Sequence, residues 1–262
     1  MSSTLKKFSV IEILYPIGMY YLISGFVFFA LNILFGETQE IYMTKQLISS
    51  GSTIPFLVSF YKQVMHTERV VFGKQKTSPG NMIFQIVLTA AAAGALGVAL
   101  NNFIAMTPLV DASAGFQNAN ANFFAGGILV EILASCVVVP IAEELLFRGI
   151  VLKQTSMMLD EKIGIVCSAV LFGAIHFNLV QFIYAVLLGA LLAVIVMKTG
   201  KVYLAIIGHA AANLIAVLRA ETGILDFSYR PDVAGIGFSL VMVFFGAISA
   251  WLLLYMPKDE HK

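Results

Sequence analysis

Residues 179–197 read Leu-Val-Gln-Phe-Ile-Tyr-Ala-Val-Leu-Leu-Gly-Ala-Leu-Leu-Ala-Val-Ile-Val-Met, a stretch without one Asp, Glu, Lys or Arg. A helix crossing the hydrocarbon core of a bilayer needs about 20 mostly apolar residues, and this stretch supplies them before Lys198 closes it. Outward from it, the same reading recurs along the chain. Eight candidate spans fall at roughly 9–35, 41–60, 81–106, 123–146, 163–178, 179–197, 202–218 and 234–256. The second is diluted by Lys45, Gln46 and the run from Ser49 to Thr53, and the fifth and sixth are separated only by the polar hinge His176-Phe177-Asn178.

Composition agrees. Of 262 residues, 59% are hydrophobic and 12% are Asp, Glu, Lys or Arg. Soluble domains carry about 25% charged residues, so this chain has too little charge to clothe a globular surface, and a bilayer explains the deficit. The fold class expected is all-α: a polytopic membrane helix bundle of about eight transmembrane helices. It is read as one domain over residues 1–262, with a motif-bearing core at about 123–218. Residues 8–35 form a run too long for the apolar region of a cleavable signal.

Lys and Arg placement sets the orientation, because cytoplasmic loops are enriched in both. With the N-terminus in the cytoplasm, that side receives thirteen of them: Lys6, Lys7, Lys62, Arg69, Lys74, Lys76, Arg148, Lys153, Lys162, Lys198, Lys201, Lys258 and Lys262. The other side receives Arg219 and Arg230, with Lys45 near the start of the second span. Both termini are therefore expected in the cytoplasm. No basic run suggests nucleic acid, and Cys136 and Cys167 sit singly in apolar runs that fit neither a zinc pattern nor a disulfide framework.

An ionisable side chain at the centre of a membrane helix costs about 2.5–3.5 kcal/mol on insertion scales, so each one there needs a reason. The densest group is Glu143-Glu144-Leu145-Leu146-Phe147-Arg148. Glu144 and Arg148, four apart with the acid first, share a helix face in the favourable order, while Glu143 is rotated about 100° from its neighbour. One carboxylate is thus tied to a guanidinium and the other is available. Pro140, just upstream, frees a carbonyl and bends the axis. Glu131 lies about 18 Å back along the same helix and is read as belonging to no common site. Two of the four histidines also lie in apolar runs, in Phe172-x-x-x-His176 and His209-x-x-x-Asn213. Singly, such residues are helix-to-helix hydrogen-bonding groups or interfacial anchors. Together, on three helices, they can accept protons, bind metal or deprotonate water.

These three motifs, in this order, resemble those of the CPBP family, which comprises the CAAX prenyl endopeptidases and the bacteriocin-processing or Abi membrane proteases. The resemblance covers about residues 143–213. It implies that Glu143 activates water, with His176 sharing that task. It implies that His209 and Asn213 donate hydrogen bonds to the oxyanion of a tetrahedral intermediate, and that Glu144, held by Arg148, positions the site. Members are often called metalloproteases, yet the chain lacks His-Glu-x-x-His. No cofactor is assigned; a divalent metal such as zinc, were one bound, would take Glu143, His176 and His209.

The function expected is endoproteolysis of a membrane-associated peptide or protein. The substrates that the resemblance allows are prenylated tails, pheromone precursors and bacteriocin leaders, and the location is a bacterial cytoplasmic membrane. A non-catalytic immunity or scaffold protein with the same fold is the alternative, and a proton-coupled transporter a further one.

The depths pose a problem. If span four ends near Glu143, His176 lies about 20 Å and His209 about 10 Å from that end. The apolar continuation from Ile150 to Leu159 suggests that the helix runs on and carries the acids into the bilayer. A cavity open to the cytoplasm, lined by Glu143, His176, His209 and Asn213, is expected.

Overall fold

The computed structural model describes residues 9–73 and 81–255, and among them every regular element is helical. Helix α1 (Ile11–Phe35) and helix α2 (Tyr42–Phe72) form an antiparallel pair. Helix α3 (Met82–Ala105) is a central post on which α8 (Val202–Thr222) and α9 (Val233–Leu254) pack. Its small residues, Ala92, Ala93, Gly94, Ala95 and Gly97, bring the neighbouring backbones close. The connection after α3 holds a short helix, α4 (Ala114–Phe123), and then bends by 109° into the long helix Ile128–Met158, α5. Helices α6 (Glu161–Ala174) and α7 (Leu179–Thr199) complete the bundle.

Each of the eight expected stretches coincides with a helix. Five helices are long and apolar enough to cross a membrane, namely α1, α3, α7, α8 and α9, and the bent pair α4–α5 makes a sixth. The other two stretches depart from the expected spans for physical reasons. α2 runs on to Phe72 through Lys62, Glu68 and Arg69, so much of its length is polar. α6 is 14 residues long, about 21 Å at 1.5 Å per residue, short of a 30 Å hydrocarbon core. The hinge between α6 and α7 is a chain reversal: Phe177 takes φ +54°, and the Asn178 side chain caps α7 by accepting from the Gln181 N–H at 2.9 Å.

The two ends of the bundle are fastened differently. At one end Lys153 near the end of α5 meets Glu68 of α2 at 2.8 Å, and Lys201 donates to Gln85 of α3 at 2.7 Å. At the other end, Arg219 of α8 donates to Asn102 of α3 at 2.8 Å and to Ser228 at 2.7 Å, while Asn102 donates to Ser239 of α9 at 2.9 Å. Lys6, Lys7, Lys74, Lys76, Lys258 and Lys262, which entered the expected orientation, lie outside the described residues, as do both termini. The helices and their apolar faces make this a multi-pass membrane protein.

Candidate active site

Helix α5 extends well beyond Glu143, so that Glu143 sits near its middle, about 22 Å from either end at 1.5 Å per residue. That continuation resolves the depth conflict: the acids are inside the bundle. The helix is also wound wide twice, over Ile132–Val138 and Leu145–Val151, where the Val139 N–H reaches the Ala134 carbonyl and the Leu152 N–H the Phe147 carbonyl, each five residues back. Such π-turns inside an α-helix commonly mark functional sites.

The first of these turns explains Asn213. In a five-back register the residue after Val139 would donate to Ser135, but that residue is Pro140, which has no N–H. The Ser135 carbonyl accepts instead from Asn213 Nδ2 of α8 at 2.7 Å. One amide hydrogen of Asn213 is thereby committed to the backbone of α5, and the amide has a second. At the neighbouring turn, buried Ser168 of α6 donates to the Phe147 carbonyl at 2.9 Å. Glu131 belongs elsewhere, as expected: fully buried, it accepts from the Gly127 N–H at 3.1 Å at the start of α5.

Glu144 and Arg148 are fully buried and joined at 3.1 Å. The guanidinium lies over the Phe172 ring, 4.4 Å from its centroid, and the same ring meets His176 and His209 edge-on at 5.3 and 5.6 Å. Phe172 is thus the platform on which the cation and both imidazoles are assembled. Gly189 of α7 makes room for it: a Cβ there would stand 2.6 Å from Arg148 Nη2 and 3.1 Å from Phe172 Cδ1.

Hydrogen-bond partners assign the imidazole protons. Glu144 Oε1, in its ion pair, only accepts, so the proton of His209 sits on Nδ1, 2.9 Å away. His209 Nε2 is left facing Glu143 Oε2 at 3.9 Å. The Phe172 carbonyl likewise takes the proton of His176 Nδ1 at 3.0 Å, leaving Nε2. In its neutral form each imidazole therefore offers a lone pair rather than a donor at Nε2.

Glu143, His176, His209 and Asn213 line one cavity of about 660 Å³, while Glu144 and Arg148 stand behind its wall. The rest of its lining is uncharged, a mixture of aromatic, aliphatic and neutral polar residues that includes Tyr20, Ser24, Phe28, Gln46, Gln181 and Tyr184. Among the described residues no group of three His, Cys, Asp or Glu side chains is gathered closely enough to hold a metal ion. The set Glu143, His176 and His209 is therefore not a formed metal centre, and no step below passes through one.

A family model for the type II CAAX prenyl endopeptidase Rce1-like proteins matches residues 125–215. That stretch is similar to the Rce1-like proteins. The match agrees with the resemblance carried by the three motifs, and it contains all seven motif residues. The comparison with curated proteins and the comparison with solved structures gave no match. The Rce1-like stretch supplies the acids, the imidazoles and Asn213, but Tyr20, Ser24, Phe28 and Gln46 on the opposite wall come from α1 and α2, outside it.

The position of the cavity sets two expectations against each other. Its wall reaches Asn32 near the end of α1, Tyr42 at the start of α2, Ala119 and Phe123 in α4, and Phe177 in the α6–α7 reversal. All of these lie at the end of the bundle away from Lys62, Arg69, Lys162 and Lys198. Cytoplasmic placement of the Lys- and Arg-rich end and a cavity open to the cytoplasm therefore do not hold together.

Proposed function

We propose that the protein is an intramembrane endopeptidase in which Glu143 activates a water molecule for attack on a peptide carbonyl. The observation that supports this most directly is the separation of roles between adjacent acids. Glu144 is consumed by Arg148 and His209, whereas Glu143 faces the cavity with His209 Nε2 at 3.9 Å, room for a water or substrate oxygen to adjust between them. Glu143 takes a proton from water as the water oxygen bonds to the carbonyl carbon, and the carbonyl oxygen becomes an oxyanion. His176 Nε2, as an acceptor, orients the second hydrogen of that water.

Oxyanion stabilisation needs donors. Asn213 contributes its second amide hydrogen. His209 donates from Nε2 while it holds the proton that Glu143, 3.9 Å away, has taken from water, and Glu144 on Nδ1 stabilises the resulting imidazolium until that proton returns to Glu143, as a buried carboxylate does in the Ser-His-Asp arrangement. When the C–N bond breaks, the proton held by Glu143 passes to the leaving amine, and the site returns to its starting state. The substrate class is a membrane-associated peptide or protein, consistent with the neutral, aromatic-rich cavity wall. A bacterial cytoplasmic membrane is the proposed location.

The test is cleavage of quenched-fluorophore peptides, one farnesylated and ending in a Cys-aliphatic-aliphatic-X tail and one without the lipid, by purified protein in proteoliposomes. Glu143→Gln, His176→Ala and His209→Ala are each expected to abolish turnover while thermal unfolding in detergent stays cooperative. Full activity in all three variants would refute the mechanism, and a folded parent protein that cleaves neither peptide would favour the scaffold reading, in which these residues form only a polar core.

A further inference from the structure

The distribution of exposed charge relative to the cavity bears on where the substrate comes from, and the inference rests on the endopeptidase reading above. At the end of the bundle away from the cavity, Lys62, Arg69, Lys162 and Lys198 are exposed on three different helices. At the cavity end the described Lys and Arg side chains are otherwise engaged. Lys45 is buried, its ammonium on Asn32 Oδ1 at 2.6 Å and the Gly36 carbonyl at 2.8 Å. Arg219 is buried in the network with Asn102 and Ser228. Arg230 is exposed but paired with Asp232 at 3.3 Å. The rule that cytoplasmic loops keep the excess of Lys and Arg acts on short connections close to the ends of spans, which is where these residues stand.

The cavity shares the charge-poor end. From Glu143 its wall passes Tyr20, Ser24 and Asn32 along α1, Gln46 and Tyr42 along α2, and ends against Ala119 and Phe123 of α4 and Phe177. None of its lining residues is Lys or Arg.

We propose that the active-site cavity opens on the face of the membrane opposite the cytoplasm, and that the substrate is a peptide segment already translocated. Such a segment would be an exported peptide, or the outer juxtamembrane stretch of a membrane protein, that descends along α1 and α7 to Glu143. A cytoplasmic protein with a modified C-terminal tail cannot reach Glu143 by this route. The wall favours apolar and aromatic side chains around the scissile bond, since it holds nine aromatic residues, from Tyr20 to Tyr184, and no side-chain cation for a free carboxylate.

Orientation is measured without activity, so its failure is separable from failure of the proteolysis reading. In the full-length protein with Cys136→Ala and Cys167→Ala, single cysteines are placed at Ala119 on the cavity wall and at Lys162 on the opposite end. Intact cells expressing each variant are treated with a membrane-impermeant maleimide, before and after lysis. The expected result is that Ala119→Cys labels in intact cells, and Lys162→Cys labels only after lysis. The reverse pattern overturns the proposal and places the cavity on the cytoplasmic side. Labelling of both in intact cells, or of Ala119→Cys only after lysis, overturns it too. The Glu143→Gln test stands or falls independently of these outcomes.

Discussion

Adding one methyl group at Gly189 tests whether the buried cation holds the site together. The Cβ of Gly189→Ala would stand 2.6 Å from Arg148 Nη2, 3.1 Å from Phe172 Cδ1 and 3.6 Å from Ala169 Cα. Ordinary contact distances of 3.5–4.0 Å require the guanidinium to move by about 1 Å. It is hemmed in on its other side by the Phe172 ring at 4.4 Å and by Glu144 at 3.1 Å. Overpacking of this kind costs about 1–3 kcal/mol, and the better helix propensity of Ala returns at most about 1 kcal/mol. The net loss of stability is thus about 0–2 kcal/mol.

The effect on rate is larger, because Arg148 positions Glu144 and Glu144 positions His209. A displacement of about 1 Å in a catalytic group costs roughly 10²-fold. Gly237→Ala in α9 is the control: its Cβ meets nothing within 4 Å, so it should unfold slightly later than the parent and cleave at the parent rate. Thermal unfolding in detergent and turnover of the quenched peptide are the two measurements. If Gly189→Ala cleaves at the parent rate and unfolds no earlier than Gly237→Ala, the packing of Arg148 is not what orders the site.

Three further outcomes are expected. Asn213→Ala leaves the Ser135 carbonyl without its donor and should cost about 1–3 kcal/mol; adding Pro140→Ala restores a backbone N–H and should recover part of that loss, which a double-mutant cycle on unfolding midpoints will show. Lys153→Met strands Glu68, a buried partner at 2.8 Å, and should cost about 3–5 kcal/mol, whereas Glu68→Leu with Lys153→Met should be close to neutral; equal losses in the single and double variants would refute the pairing. Prolonged dialysis against a chelator should leave peptide turnover unchanged, since the carboxylate and imidazoles are not gathered into a chelating set among the described residues; loss of activity restored by added zinc would overturn the metal-free mechanism.

Much of the bundle could be read from residue types. The charge-free stretch at 179–197 and its counterparts announce membrane helices because lipid tolerates nothing else at that length. The pairing of Glu144 with Arg148 follows from helical spacing alone, and the structure places the two together. The depth of Glu143 was harder. The polar residues after it look like the end of a span, yet Lys153 is neutralised by Glu68 on α2 and lets α5 continue. That partner is 85 positions away, and no local pattern reveals it. The role of Gly189 is equally non-local. A single glycine in an apolar helix signals close approach, but the sequence does not say that the approaching group is a guanidinium.

Pro140 shows how a local signal acquires its meaning from packing. Its missing N–H guarantees one orphaned carbonyl on α5, but whether that carbonyl belongs to Cys136 or Ser135 depends on whether the turn is α or π. The wide winding over Ile132–Val138 chooses Ser135, and Asn213 answers it at 2.7 Å. The same bond that satisfies the backbone therefore seats the amide beside Glu143 and His209 in the cavity wall. Asn213 is a structural fastener, and in the proposed mechanism it is also a donor to the oxyanion, the two duties using different hydrogens of one amide. A sequence motif and a helix defect seventy-odd positions apart are a single arrangement: the proline leaves free the acceptor that holds Asn213 in place.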